Sequence, residues 1–231
     1  WIHQKGILDF DLMTDLNKGL RNKLKSLAYI KPPTIHEEHI SKEGTIKYLI
    51  ELESGSMIEM VEIPEKKRKT LCVSSQAGCA LQCTFCATGA QGFDQNLESH
   101  EIIGQLWLSN FHKKDSRPIT NIVFMGMGEP LLNFDAVIES AKIMKHQLAY
   151  GLSRKRITIS TSGIVPNIKK LYNEIDVSLA VSLHAPDDKL RDEIVPINNK
   201  YPISLLIDAC KSYLNKYENK RSITIEYILI D

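Results

Sequence analysis

The chain has 231 residues, 43% of them apolar, with 29 Lys and Arg against 28 Asp and Glu. This composition describes an ordinary soluble protein, and no apolar run reaches the length of a bilayer-spanning helix. A net charge near zero neither requires nor forbids a nucleic-acid partner, because local patches carry that interaction. The length suffices for one medium domain and a smaller appendage.

Residues 1–28 carry Leu12, Leu16, Leu20, Leu24 and Leu27 at helical spacing, with Asp11 as the expected cap and Lys18, Arg21, Lys23 and Lys25 as a basic, solvated flank. They read as the end of a helical accessory domain over residues 1–31. Pro32-Pro33 opens a linker and short β-ribbon over residues 32–69, with strands expected near 35–41, 45–52 and 57–63. Glu59 lies in the last of these and, by its chemistry alone, is a surface carboxylate. Lys66, Lys67, Arg68 and Lys69 follow just before Cys72; such a run either attracts phosphate or is a solvated turn.

From Thr70 the rhythm becomes strand, loop, helix. Strands are expected at 70–75, 120–125, 156–160, 176–182 and 222–230, and helices near 98–112, 133–147, 166–173 and 203–216. The strands are rich in Ile, Val and Leu without strict alternation, the pattern of a parallel sheet covered by helices. The expected fold class is α/β: a partial (β/α) barrel over residues 70–231, interrupted after its fifth strand and preceded by a small N-terminal helical and β-ribbon extension. A doubly wound sheet is the alternative, because periodicity does not show whether the first and last strands close. The chain opens at Trp1 within a helix-like stretch and stops at Asp231 after a hydrophobic strand, so it is expected to be a piece of a longer protein.

Four of the five cysteines lie between Cys72 and Gly92. Cys79, Cys83 and Cys86, spaced Cys-x3-Cys-x2-Cys, can place three thiolates around one side of a cubane iron–sulfur cluster, with Gly78 and Gly89 relaxing the backbone at either edge. One iron is then left open to a substrate, as in a catalytic metal site. Zinc would need a fourth ligand from Cys72 through a long loop or from the distant Cys210. Disulfides fit poorly with an odd cysteine count and no secretory segment, and the Gly, Thr and Ser neighbours argue against three unrelated core cysteines.

Three further motifs follow three successive strands: Gly126-Met127-Gly128-Glu129-Pro130, Ser160-Thr161-Ser162-Gly163 and Ser182-Leu183-His184. Each has a plain reading, as a strand-to-helix turn ended by Pro130, a helix cap, and a hydrogen-bonded rim histidine. In a parallel barrel, however, those strand ends share the ligand-binding face, and the cysteine loop follows the first strand onto that face. Their common position favours a site.

The Cys79, Cys83 and Cys86 pattern resembles the radical S-adenosylmethionine superfamily. More closely, residues 72–93, 124–133, 156–168 and 180–201 resemble the bacterial adenine-C2 methyltransferases that modify 23S ribosomal RNA and transfer RNA; Met125 to Asn133 and Ser182 to Pro186 narrow the family most. The resemblance implies a [4Fe-4S] cluster on the three cysteines, and S-adenosylmethionine at its open iron, contacted by Gly128, Glu129, Ser160, Ser182, Leu183 and His184. Glu129 would face the amino group of that cofactor. Cys72 would be the non-cluster cysteine that resolves a protein–RNA adduct, and Glu59 a proton acceptor.

In the implied reaction a different cysteine is methylated first, a 5'-deoxyadenosyl radical takes hydrogen from that methyl group, and the carbon radical adds to adenine carbon 2. Attack by Cys72 then releases the RNA and leaves a disulfide to be reduced. The methyl-carrying cysteine is absent from these residues, and Cys210 matches no such role and reads as packing, so the 231-residue piece alone is expected not to methylate RNA. The implied partners are 23S rRNA, tRNA and a one-electron donor such as flavodoxin, in the cytoplasm, with no membrane or DNA. Alternatives are the related adenine-C8 resistance methyltransferases, although Gln91-Gly92-Phe93 looks more like the carbon-2 group, a noncatalytic RNA-binding remnant, and a radical enzyme acting on a small molecule.

Overall fold

The computed structural model describes residues 1–113, 117–215 and 222–229. The antiparallel ribbon consists of β1 (Thr34–Ile40), β2 (Ile46–Glu51) and β3 (Met57–Pro64), and β3 pairs antiparallel with β4 (Lys69–Cys72). The ribbon therefore shares its main-chain hydrogen bonds with the rest of the sheet. After β4 the chain leaves for a small hairpin-like sheet of β5 (Gln76–Gly78) and β6 (Phe93–Asn96), which sequence periodicity did not reveal because each strand is only three or four residues long. The main sheet continues in parallel through β7 (Asn121–Phe124), β8 (Ile157–Thr161), β9 (Ser178–Ser182) and β10 (Thr224–Glu226).

The parallel strands lie side by side in chain order, β4-β7-β8-β9-β10, without reversal. Right-handed crossovers then carry every connecting helix to the same face, whereas a doubly wound sheet needs a reversal of order. The architecture is the partial barrel. The expected strand at 222–230 and helix at 203–216 extend onto residues outside the described ones, as does Asp231.

The helices are α1 (Ile2–Lys5), α2 (Lys18–Leu27), α3 (Ala87–Gln91), α4 (Ser99–Phe111), α5 (Phe134–Lys145), α6 (Val165–Glu174), α7 (Asp188–Ile194) and α8 (Ile203–Asn215). Glu98 and Glu101 form a reciprocal capping box that starts α4, and Pro166 in the first turn starts α6. Asp11 is not the cap of α2. Asn17 accepts from the Leu20 N–H at 2.9 Å, while Asp11 instead pairs with Lys25 at 2.7 Å. Missed in the sequence, α7 is one of the shorter helices, capped by Asp187 accepting from the Leu190 N–H at 2.9 Å.

The two faces of the sheet differ sharply. Ile58, Met60, Leu71, Ile122, Phe124, Ile157, Ile159, Leu179 and Val181 are buried on the helix-covered face, where Ile102, Leu106, Val137 and Ile168 complete the core. Each such side chain contributes about 2 kcal/mol by leaving water. By the strand register, Glu59, Val61, Thr70, Cys72, Asn121, Val123, Thr158, Ser160, Ser178, Ala180, Ser182 and Glu226 occupy the other face. A closed barrel fills that face with layers of bulky branched side chains. Here it is small and polar, so the concave side remains open to a ligand.

The basic run is placed away from the cysteine loop. Lys66, Lys67 and Arg68 precede β4, at the end of the parallel strands opposite the loops that follow them. Arg117 fastens this turn by donating to the carbonyls of Glu65 at 2.6 Å, Lys66 at 3.2 Å and Arg68 at 2.7 Å. Lys69 is buried against Glu62 at 2.5 Å and is not part of a free cationic surface. Lys66, Lys67 and Arg68 therefore stand at the strand end away from the cysteine loop.

Candidate functional site

Beyond Cys72 the chain turns sharply, and the buried side chains of Gln105, within α4, and Asn133, just ahead of α5, hold the turn. Gln105 of α4 accepts from the Ser74 N–H at 2.8 Å and donates to the Ser74 carbonyl at 2.9 Å. Asn133 donates to the carbonyls of Ser75 at 2.8 Å and Leu97 at 2.6 Å. The Ser74 hydroxyl accepts from the Met127 N–H at 2.8 Å and donates to the Glu59 carbonyl at 2.5 Å. These residues escaped the sequence reading because a polar side chain at a helical core position has no periodic signal. Gln105→Leu leaves two buried main-chain groups unpaired at about 1–3 kcal/mol each, so urea denaturation should show a loss of about 3 kcal/mol.

The cysteine loop then closes on itself. Gly78 has φ +71°, and a Cβ there would fall 2.0 Å from the Gly92 carbonyl oxygen, which accepts from the Cys79 N–H at 2.8 Å. Cys86 caps α3 and donates its N–H to the Cys83 carbonyl at 3.0 Å, while the Thr84 N–H donates to the Ile194 carbonyl at the end of α7 at 3.1 Å.

Cys79, Cys83 and Cys86 thereby line one cavity of about 250 Å³, together with Phe85, Gly128, Glu129, Ser160, Ser182, His184 and Glu226. Burial pushes the Cys83 thiol up to about 11, and the neighbouring Cys79, Cys86 and Glu129 add to the shift. Burial also raises Cys79, assisted by Glu129 and Cys86.

All five cysteines are free thiols. Among the described residues, no three His, Cys, Asp or Glu side chains form a group fit to hold a single metal ion.

Glu129 is buried, 2% exposed. Its Oε1 accepts from the Leu131 N–H at 3.0 Å and its Oε2 from the Ser162 N–H at 2.8 Å, and the Thr161 hydroxyl also bonds to it. Burial nevertheless holds its carboxyl above the usual carboxylate range. Its own N–H donates to Gln76 Oε1 at 2.8 Å. Pro130 does not simply stop the turn; it opens a 3-10 turn over Pro130–Leu132 that Glu129 caps.

Glu226, unremarked in the sequence, organises the far wall. Its Oε2 accepts from the hydroxyls of Ser160 at 2.9 Å and Ser182 at 2.6 Å, and its carbonyl from the N–H groups of Leu183 at 3.1 Å and His184 at 3.3 Å. It sits at the carboxyl end of a parallel strand, so the rule that located the other motifs could have located it. His184 has φ +62° and sets its ring edge-on to Phe85 at 4.8 Å. Burial lowers its pKa, and Nδ1 accepts from the Ile228 N–H at 3.1 Å, so the neutral ring carries its proton on Nε2. Leu183 packs its side chain on the core and does not line the cavity.

Cys72 and Glu59 lie outside the cavity wall, on the concave face below it. Burial raises the Cys72 thiol to about 11, the Met125 N–H bond opposes this, and the Glu226 carboxylate adds to the rise. On a flat sheet the four strand spacings from β4 to β10 would separate these residues by about 19 Å. Curvature of the sheet brings them within electrostatic reach. Glu59 is half exposed and ion-paired with Lys47 at 2.8 Å; Val61, and not Glu59, lies directly opposite Cys72.

No helix among the described residues is long and apolar enough to cross a membrane. Residues 1–30 match the ribosomal RNA large subunit methyltransferase N-terminal domain. Proteins of three Pseudomonas putida strains, F1, GB-1 and W619, each named dual-specificity RNA methyltransferase RlmN, are 54% identical over 235 residues; the match covers all of this chain and 62% of each of them. The chain thus spans somewhat under two thirds of the length of these curated relatives. A crystal structure of a radical SAM methyltransferase from Sphaerobacter thermophilus superposes with a TM-score of 0.92 at 42% identity, over 100% of this chain and 68% of that one. The family model for the radical SAM superfamily matches residues 73–230, from the turn after Cys72 through the strand that carries Glu226, and with three thiols on the cavity between those limits the chain belongs to that superfamily.

Proposed function

We propose that this chain is the core of a radical RNA methyltransferase that forms 2-methyladenosine in 23S rRNA and in tRNA. With superfamily membership come a [4Fe-4S] cluster and S-adenosylmethionine as cofactors. The observation that carries the reading is the convergence of Cys79, Cys83, Cys86 and Glu129 on one cavity at the carboxyl ends of the parallel strands. The likeness to relatives named as dual-specificity RNA methyltransferases supports RNA as the substrate class.

When bound, the cofactor pair supplies one-electron cleavage of a carbon–sulfur bond, which ordinary acid–base residues cannot provide. The chain's own residues do the rest. The three cysteines hold the cluster. Glu129, fixed by the N–H groups of Leu131 and Ser162, accepts from the cofactor's ammonium group, beside the open Gly128 backbone. Ser160 and Ser182 have spent their protons on Glu226, so toward the cavity they offer lone pairs to donor groups on the ligand. His184 and Phe85 wall the cavity against water, and Leu183 supports the wall from behind.

Cys72, on the concave face, resolves the protein–RNA adduct, and Glu59, ion-paired with Lys47, takes a proton from the adenine. We assign residues 1–31 to a helical accessory domain and residues 32–69 to a linker and ribbon, with the partial barrel falling within residues 70–231. The electron donor is a small reductant such as flavodoxin, and the setting is the cytoplasm.

Anaerobic reconstitution of the full-length protein, followed by iron and sulfide analysis and by cofactor cleavage after reduction, tests this reading. About four irons per chain are expected, falling to background when Cys79, Cys83 and Cys86 are replaced by serine. Tetrahedral zinc in place of the cluster, or no cofactor cleavage by the reduced protein, would falsify it.

A further inference from the structure

Behind the cavity rim lies a residue that no motif singled out. β8 and β9 exchange main-chain hydrogen bonds as far as Thr161 and Val181, and beyond that rung the two chains part. The carbonyls that follow find their donors in Arg191 of α7. Its Nη2 donates to Ser162 at 2.6 Å and Ser182 at 3.1 Å, its Nε to Leu183 at 2.9 Å, and its Nη1 to the Asn198 side-chain oxygen at 2.7 Å. The guanidinium thus continues the ladder between the two strands by a side chain.

The charge of this residue is as unusual as its geometry. Arg191 is 0% exposed, and no carboxylate among the described residues forms an ion pair with it. Asp188 and Asp192 are held one step away, through the Asn198 amide at 2.9 Å and 2.7 Å. On the other side, Ser162 N–H donates to Glu129 and Ser162 shares the cavity wall with Cys83, whose thiol lies within electrostatic reach of the guanidinium. A buried cation facing a cysteine-lined cavity favours added electron density there. Only the planar fork of arginine reaches three carbonyls at once; the point charge of lysine cannot.

We propose that Arg191 is a positioning residue of the cofactor cavity, spacing the loops after β8 and β9 through its fork and easing reduction of the cluster through its buried charge. This rests on the cluster assignment above. The test uses anaerobically reconstituted full-length protein carrying Arg191→Lys or Arg191→Met, with three readouts: iron content, cluster midpoint potential from a redox titration followed by electron paramagnetic resonance, and equilibrium affinity for S-adenosylmethionine.

Arg191→Met should shift the potential to more negative values and weaken cofactor binding by about tenfold or more, the scale of a lost outer-sphere partner. Arg191→Lys should keep the potential near that of the parent but weaken binding to a similar extent. Unchanged potential and affinity in Arg191→Met overturn the proposal. If Arg191→Met takes up no cluster, Arg191→Lys decides: full iron with weakened binding supports the proposal, and parental affinity overturns it. Loss of the cluster from both variants at an unchanged melting temperature supports it, whereas loss together with a collapsed melting temperature reduces Arg191 to a general folding residue. Absence of the cluster from the parent protein instead sinks the functional reading itself, and this inference with it.

Discussion

Gly128→Ala should abolish cofactor binding, lowering affinity by more than about 100-fold, and cost about 3 kcal/mol of stability. Gly128 has φ +96°, and a Cβ there would lie 2.5 Å from Cβ and 2.7 Å from Cγ of Gln76. Backbone strain at such a φ and overpacking each cost about 1–3 kcal/mol. The binding loss has a more specific cause. Gln76 Oε1 accepts from the Glu129 N–H at 2.8 Å, so displacing Gln76 releases the main chain that aims Glu129.

Gly151→Ala supplies the control, because Gly151 has φ +62° but nothing within 4 Å of its added Cβ. That variant should pay only the left-handed backbone penalty of about 1–2 kcal/mol and bind as the parent does. Urea denaturation and equilibrium binding on the three proteins separate the effects; parental affinity in Gly128→Ala would show that the cofactor does not use this loop.

The second large effect is expected at Glu129. Because burial holds its carboxyl above the usual carboxylate range, the folded state binds this proton more tightly than the unfolded chain does. The contribution to stability is therefore present in acid and lost as pH rises through the raised value. Once ionised, the carboxylate is held against its own desolvation, and a cofactor ammonium relieves that cost. Glu129→Gln keeps the shape and removes the charge. A hydrogen bond to a charged group is worth about 1.5–3 kcal/mol, so affinity should fall roughly 10- to 150-fold. The parent should also lose affinity on acidification, starting above the ordinary carboxylate range, while Glu129→Gln stays flat over the same window. Identical pH profiles in the two proteins would remove Glu129 from the binding role.

Such experiments bear on residues of two kinds, those visible as motifs and those visible only in the fold. Cys79, Cys83, Cys86, Gly128 and Glu129 were legible as candidates because the iron–sulfur ligation proposed for the cysteines, and close backbone approach at the glycine, demand particular residue types at short, fixed spacing. The helices at Ser99–Phe111, Phe134–Lys145 and Val165–Glu174 were legible because each buries a long apolar stripe. Asp11 misled because a carboxylate ahead of a leucine pattern resembles a cap, while Asn17, nearer the helix, made the bond. For Lys66 to Arg68 the sequence left two readings open, and the fold puts them at the start of β4, the end of the strand opposite Cys72.

By itself, the order of residues determined the parallel strands, the longer helices between them and the three-cysteine loop, since all of these depend on local periodicity or on spacing within one loop. Tertiary structure alone decided the roles of Gln105, Arg191 and Glu226, each a polar side chain whose partners lie on other elements of the fold. It also decided that Cys72 and Glu226, carried by strands far apart in the chain, stand on the same face of one sheet. A linear chain records which groups must be paired once buried; the closing of the sheet selects the partners.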